Sequence, residues 1–232
     1  MLYLILLLVI LFCVTICETI LAISVSKSRK RFINQKKLDI SCIKNPTLGS
    51  EIIKRLFDII VSLVICITIL PVMYITLGII IKITSPGPII FAQKRVGIFG
   101  EVFNCYKFRS MYQDANYNIA VKNDKRVTPV GRFIRKTHID EFPQFYNVLI
   151  GDMSLVGPRP TMRFVTEHLD THPKYVYRLL VRPGITGMAQ LTGRQSALTN
   201  ILKFDFEYMK RNSLWLDLKI IFKTLKFEDE SY

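Results

Sequence analysis

Histidine, cysteine and acidic side chains are scarce in this chain. Its 232 residues hold three histidines, five cysteines and 18 acids against 32 lysines and arginines. The cysteines are Cys13, Cys17, Cys42, Cys66 and Cys105; their number is odd, none forms a CxxC pair, and three lie in apolar runs. Neither a disulfide framework nor a zinc site is supported, and a reduced, cytoplasm-facing protein is expected. His138, His168 and His172 lack metal-ligand spacing; the last two are four residues apart, but Pro173 follows and makes them read as a helix end. No internal repeat, low-complexity tract, Walker loop or dinucleotide fingerprint occurs.

What is abundant is apolar and basic. Half of the residues are hydrophobic and the formal net charge is +14. Such a chain suits an anionic membrane surface, phosphate-bearing ligands, or both. Nucleic acid is the other standard reading of such a charge. Lys94, Arg95, Lys107 and Arg109 do interleave with aromatics, but without an RNP-like or helix-turn-helix arrangement, so no nucleic-acid partner is expected.

Two long apolar runs organise the first third. Residues 1–26 carry one charge, Glu18, and are long enough to cross a hydrocarbon core as a helix. No basic n-region or small-residue cleavage site marks a signal peptide, so a transmembrane anchor is expected. Lys27, Arg29, Lys30, Arg31, Lys36 and Lys37 follow, and the positive-inside bias places that end in the cytoplasm. Residues 27–53 read as a basic, irregular linker along the membrane surface. The second run, about 56–81, has Pro71 near its middle and Lys54, Arg55 and Lys82 at its ends. A straight span would export the basic remainder against the charge rule. A re-entrant helix broken at Pro71 is therefore preferred to a kinked full span.

Residues 82–232 read as an α-rich α+β catalytic part. Residues 89–91 and 102–108 suggest a hairpin turned at 97–100. Helical patterns follow at about 130–137, 141–150, 163–169, 175–180 and 201–211. In the tail, Leu214, Leu218, Ile221 and Leu225 share one helical face and Lys219, Lys223 and Lys226 another. That suits an interfacial amphipathic helix or a surface helix packed on the core by its apolar stripe.

Three stretches carry candidate chemistry. Asp140 and Glu141 adjoin just before an apolar helical pattern with Pro143 in its first turn. At the positive end of a helix both carboxylates should stay ionised, with phosphate able to bind close by. Neighbouring residues on a helix point about 100° apart, which suits divided roles: one carboxylate attacking phosphorus, the other holding Mg²⁺. Arg159 stands between Pro158 and Pro160, whose fixed backbone would hold the guanidinium for phosphate contact; a solvated loop arginine is the plainer alternative. The third stretch holds Arg182, Gly184, Thr186, Gly187, Gln190 and Arg194, a glycine-rich run able to wrap a nucleotide or to form a tight turn.

Taken in order, KRLFD from Lys54, the proline-broken apolar run, SPGPIIFAQKRVG, YKFRSM, DEFPQFYNVLIGDMSLVGPRP, VRPGITGMAQLTGR and LWLDLKIIFKT resemble the bacterial sugar transferases, the monotopic phosphoglycosyl transferases. The resemblance covers about three quarters of the chain, and residues 54–232 are assigned to that domain. It implies a re-entrant helix broken at Pro71 and a cytoplasmic active site at the bacterial inner membrane. It also implies a ping-pong reaction between a UDP-sugar and undecaprenyl phosphate. Asp140 would be the nucleophile and Glu141 the Mg²⁺ ligand; Arg135 and Arg159 match the family's phosphate-contacting arginines, and Lys107 its basic strand motif. Anionic lipids and glycosyltransferases of the same capsule or exopolysaccharide pathway are the implied partners. Leu70 stands where the family commonly has Ser, and Met188 where Trp is usual. A catalytically inactive membrane adaptor is the alternative function.

Overall fold

In the computed structural model, residues 2–113, 124–162, 174–192 and 198–226 are described, without the side chains of residues 2–14, 192 and 198. The chain opens with two long helices, α1 (Leu2–Lys36) and α2 (Leu48–Thr84). A hairpin of β1 (Ile90–Val96) and β2 (Val102–Phe108) follows. Next come α3 (Pro129–Lys136), a 3-10 turn at Ile139–Glu141, α4 (Gln144–Ile150), β3 (Ser154–Val156) and β4 (Thr161–Met162). The chain closes with a 3-10 turn at Val176–Leu180, β5 (Gly184–Thr186), a 3-10 turn at Met188–Thr192, α5 (Leu198–Arg211) and α6 (Leu214–Lys226).

The α-rich α+β expectation is met, and so is the hairpin, with Phe99 and Gly100 taking positive φ at its turn. The expected helix at 163–169 lies outside the described residues. Two features exceed the sequence reading. β4 adds antiparallel to β1, and β3 pairs in parallel with β5, where only loops were expected. Residues 27–53 are also less irregular than expected. α1 continues to Lys36 and α2 starts at Leu48 behind a Thr47 cap. The connector between them is bound to the body: Lys44 N donates to Met209 O at 3.2 Å and Tyr177 OH to Asp39 O at 2.8 Å. Leu38 and Ile43 join the main core there.

α2 is long and apolar enough to cross a membrane. At 37 residues it would measure about 55 Å if straight, longer than a hydrocarbon core needs. Pro71 sits inside it, with helical backbone on both sides. The proline cannot donate to the carbonyl four residues back, but the flanking Leu70, Met73 and Leu77 pack with Ile81, Phe108 and Ile134 and hold the helix together. Leu70 thus contributes an apolar contact.

Both ends of α2 are tied to the same body. At the start, Lys54 reaches Asp217 at 2.6 Å, and Asp58 accepts from Ser154 Oγ at 2.7 Å and Leu155 N at 3.2 Å. At the far end Arg109 donates to the carbonyls of Ser85 and Pro86. Gly78 lets Ile89 close in, since a Cβ there would lie 2.8 Å from its side chain. Between these anchors Ile60, Val64, Ile67, Ile75, Ile79 and Ile83 are exposed, an apolar stripe at helical spacing.

α6 docks on a different face from the expected one. Leu216, Ile220 and Ile221 pack on the core while Leu225 is exposed with Trp215 and Phe222. Asp217 decides the rotation: it is buried because Lys54 and Tyr208 OH (2.8 Å) both hold it.

Candidate active site

The acidic pair stands where α3 turns into α4. Pro143 initiates α4, so Asp140 and Glu141 occupy a separate 3-10 turn one step before it. His138 takes a left-handed backbone (φ 56°) to make that turn. Asn147 locks α4 to β2. Its side chain, fully buried, accepts from Tyr106 N at 3.0 Å and donates to Asn104 O at 2.7 Å. That lock brings Lys107, the next residue on β2, beside the acids.

Glu141 is doubly held. Lys107 Nζ and Arg159 Nη2 each lie 2.6 Å from its Oε1, and Arg159 Nη1 lies 3.4 Å from Oε2. Burial opposes its charge, but Arg159 and Lys107 outweigh burial and keep the carboxyl well below the usual range. Asp140 is equally buried, and its carboxylate has no ion pair or side-chain hydrogen bond among the described residues. Burial pushes it up to about 6, against the pull of Lys107, Arg135 and Arg159 and with the help of Glu141. Glu141 is thus held ionised by ion pairing, while Asp140 is raised to about 6 and still ionised for the most part at neutral pH.

The arginines are positioned from behind. Arg135 Nε donates to Ser110 Oγ at 2.7 Å. The backbone that follows the Arg159 Cα is clamped twice: Arg178 donates to Arg159 O at 2.6 Å and Arg95 to Pro160 O at 3.0 Å. Arg178 is itself paired with buried Asp205 at 3.1 Å. Ser110, Asn147, Arg178 and Asp205 were missed in the sequence, and Arg95 was noted there only among basic residues interleaved with aromatics. Single polar residues within apolar helical patterns, as at Asn147 and Asp205, were the available signal.

The structure brings Lys107, Arg135, Asp140, Glu141 and Arg159 together. The glycine-rich stretch is placed differently. Gly157 N donates to Thr186 O and Gly184 N to Pro158 O, at 2.9 and 3.0 Å. A Cβ on Gly184 would lie 2.1 Å from Gly157 N, and one on Gly187 2.3 Å from Gly157 O. These glycines let two backbones touch, which seats the loop bearing Arg159. The side chains of Arg182, Thr186 and Gln190 bond within the fold, to Gly151 O, Thr224 Oγ1 and Ile185 O. Arg194 lies outside the described residues, as do His168 and His172.

No cluster of three or more His, Cys, Asp or Glu side chains exists among the described residues. Mg²⁺ commonly takes one or two carboxylates and completes its shell with substrate phosphate oxygens. The Asp140 carboxylate and Glu141 Oε2, whose one contact among the described residues is Arg159 at 3.4 Å, leave oxygens for it, whereas Glu141 Oε1 is taken by Lys107 and Arg159. Cys17, Cys42, Cys66 and Cys105 are free thiols.

Comparison with known proteins agrees with this arrangement. The model of the family described as bacterial sugar transferase matches residues 49–228. The chain is 47% identical over 182 residues to the UDP-N-acetylgalactosamine-undecaprenyl-phosphate N-acetylgalactosaminephosphotransferase of Aeromonas hydrophila, covering 75% of this chain and 43% of that protein. It is 40% identical over 213 residues to the UDP-glucose:undecaprenyl-phosphate glucose-1-phosphate transferase of Klebsiella pneumoniae, covering 87% and 45%. The undecaprenyl-phosphate galactose phosphotransferase of Salmonella typhimurium is 43% identical over 77% of this chain and 40% of its own length. The chain thus spans less than half the length of these curated relatives.

Proposed function

Because this chain belongs to the bacterial sugar transferase family, we propose that it transfers a sugar 1-phosphate from a UDP-sugar to undecaprenyl phosphate through a covalent intermediate on Asp140. The observation that carries this reading is the division between two adjacent buried acids. Glu141 is neutralised by Lys107 and Arg159, while Asp140 keeps an unengaged carboxylate among cations. Its pKa of about 6 leaves it mostly ionised at neutral pH, with a lone pair not committed to an ion pair.

In the first step an Asp140 oxygen attacks the sugar-proximal phosphorus. The bond from that phosphorus to the bridging oxygen breaks, and UMP leaves with the electron pair. Lys107, Arg135 and Arg159 bind the phosphate oxygens and offset the charge that accumulates there. In the second step an oxygen of the lipid phosphate attacks the same phosphorus and the Asp140 carboxylate is released, giving the lipid diphosphate sugar. Glu141 would hold Mg²⁺ with substrate phosphate oxygens, and the ion's contribution is charge neutralisation on the leaving nucleotide. One site can then serve a soluble and a lipid substrate in turn, since UMP departs before the lipid enters.

The seat of this chemistry is the cytoplasmic face of the inner membrane. α2 has an exposed apolar stripe while both its ends bind one globular body. That favours a helix dipping into the membrane and returning over a transmembrane span, with α1 as a separate anchor. α6 offers Trp215, Phe222 and Leu225 beside Lys219, Lys223 and Lys226, a composition suited to anionic headgroups. The reaction would open a capsule or exopolysaccharide pathway, whose later glycosyltransferases are the natural neighbours.

The test is UMP release from a panel of UDP-sugars with undecaprenyl phosphate and Mg²⁺. One sugar should support turnover that Asp140→Asn and chelation both abolish. A folded, membrane-inserted protein that releases no UMP from any sugar would favour the inactive adaptor.

A further inference from the structure

Glu18 is the only charge in the first 26 residues, and nothing in the reaction above uses it. A carboxylate in so apolar a run is costly unless it has a partner. Its partner is Arg55 of α2, 3.5 Å away, and both side chains are nearly buried, at 12% and 7% exposure.

Arg55 has a second task. Its Nη1 and Nη2 donate to Val148 O at 2.6 Å and Leu149 O at 3.0 Å, carbonyls at the open end of α4, where the Gly151 N–H also reaches Val148 O at 3.1 Å. α4 follows directly from the Asp140–Glu141 turn, and through Asn147 it also sets the position of β2 and Lys107. Glu18, Arg55 and the active-site helix therefore form one continuous chain of contacts.

The orientation of α1 is fixed independently. Arg29 pairs with Glu51 and donates from Nε to Leu180 O at 3.2 Å. Glu18 and Arg29 are eleven residues apart, close to three full helical turns, so both face the body. α1 lies wholly outside the segment matched by the family model.

We propose that Glu18 is a positioning residue. Acting through Arg55, it holds the end of α4 and with it the acidic turn, which makes the amino-terminal helix a working part of the catalytic unit as well as an anchor. This rests on the transferase reading above.

The experiment uses the full chain in anionic-lipid nanodiscs and compares wild type, Glu18→Gln, Glu18→Asp, Arg55→Gln and the Glu18→Gln/Arg55→Gln double variant. Steady-state kinetics are measured alongside hydrogen–deuterium exchange over residues 144–150. Glu18→Gln should lower kcat about tenfold, as small misplacements of reacting groups do, with KM for the nucleotide sugar nearly unchanged and exchange in α4 faster. Glu18→Asp should recover part of the loss. In the Arg55→Gln background Glu18→Gln should cost nothing further, because the two act as a unit. Unchanged kcat, or an equal loss in both backgrounds, would overturn the proposal. So would a fall in folded protein with no change in kcat or in exchange over 144–150. If the wild type itself releases no UMP, the transferase reading fails, and the exchange comparison still decides whether Glu18 holds α4.

Discussion

Asp140 and Glu141 are adjacent and equally buried, yet their carboxyls are driven in opposite directions, Asp140 up to about 6 and Glu141 well below its usual range. The difference lies in partners. Lys107 and Arg159 both converge on Glu141, and burial acts on Asp140 with only weaker relief. Neighbouring groups pushed apart in this way can take different roles in one reaction.

Turnover should therefore depend on pH through Asp140. With a pKa of about 6, kcat/KM is expected to be level at neutral pH and to fall about tenfold per unit well below 6. Lys107 lowers that pKa, so Lys107→Met should move the acid limb upward in pH as well as reducing the plateau. A profile flat to pH 5 would show that ionised Asp140 is not required.

Stability should respond with the opposite sign. A carboxyl whose folded pKa is raised favours the folded state while protonated. That contribution is fully present below the unfolded value of 3.8 and is lost as pH rises through about 6. Asp140→Asn keeps the neutral form at every pH. At pH 7.5 it should be more stable than wild type by on the order of 3 kcal/mol, with the two converging near pH 4. Denaturation midpoints at the two pH values check this.

Gly184 should not tolerate a side chain. A Cβ there would meet Gly157 N at 2.1 Å and Thr186 O at 2.4 Å, backbone atoms that cannot swing aside. Gly184→Ala is expected to cost roughly 3 kcal/mol or more and to displace Arg159. Gly49→Ala, with nothing within 4 Å, is the matched control and should be near neutral or slightly stabilising, as Ala is the better helix former. Urea midpoints compare the pair.

The chain has a single tryptophan, Trp215, which makes its fluorescence a reporter of α6 alone. Trp215 is 67% exposed, with Lys219 Nζ 5.4 Å from the ring centroid. In vesicles of anionic lipid with brominated acyl chains its emission should be quenched. Unquenched emission would remove α6 from the interface.

Much of this was legible in the sequence where local pattern governs. The apolar run of α2, the hairpin, and the grouping of Lys107, Arg135, Asp140, Glu141 and Arg159 could all be read from periodicity, turn residues and family resemblance. What escaped depends on long-range pairing. Asp217 on the buried face of α6 is intelligible only once Lys54, 163 residues away, is beside it. The parallel β3–β5 pair is two three-residue strands, too short to show alternation. Arg182, Thr186 and Gln190 suggested a nucleotide loop because glycine, threonine and arginine serve phosphate binding and tight backbone contact alike. The packing of Gly184 and Gly187 against Gly157 is the second use.

The covalent role of Asp140 is the central claim. The direct measurement mixes the protein in nanodiscs with the competent UDP-sugar, labelled in the sugar-proximal phosphate, and Mg²⁺, with undecaprenyl phosphate left out. A burst of about one UMP per chain is predicted, with the label carried on the peptide that contains Asp140 and discharged when the lipid phosphate is added. UMP that appears only after the lipid is added, with no label on the protein at any time, would contradict the account and point to direct transfer between the two substrates.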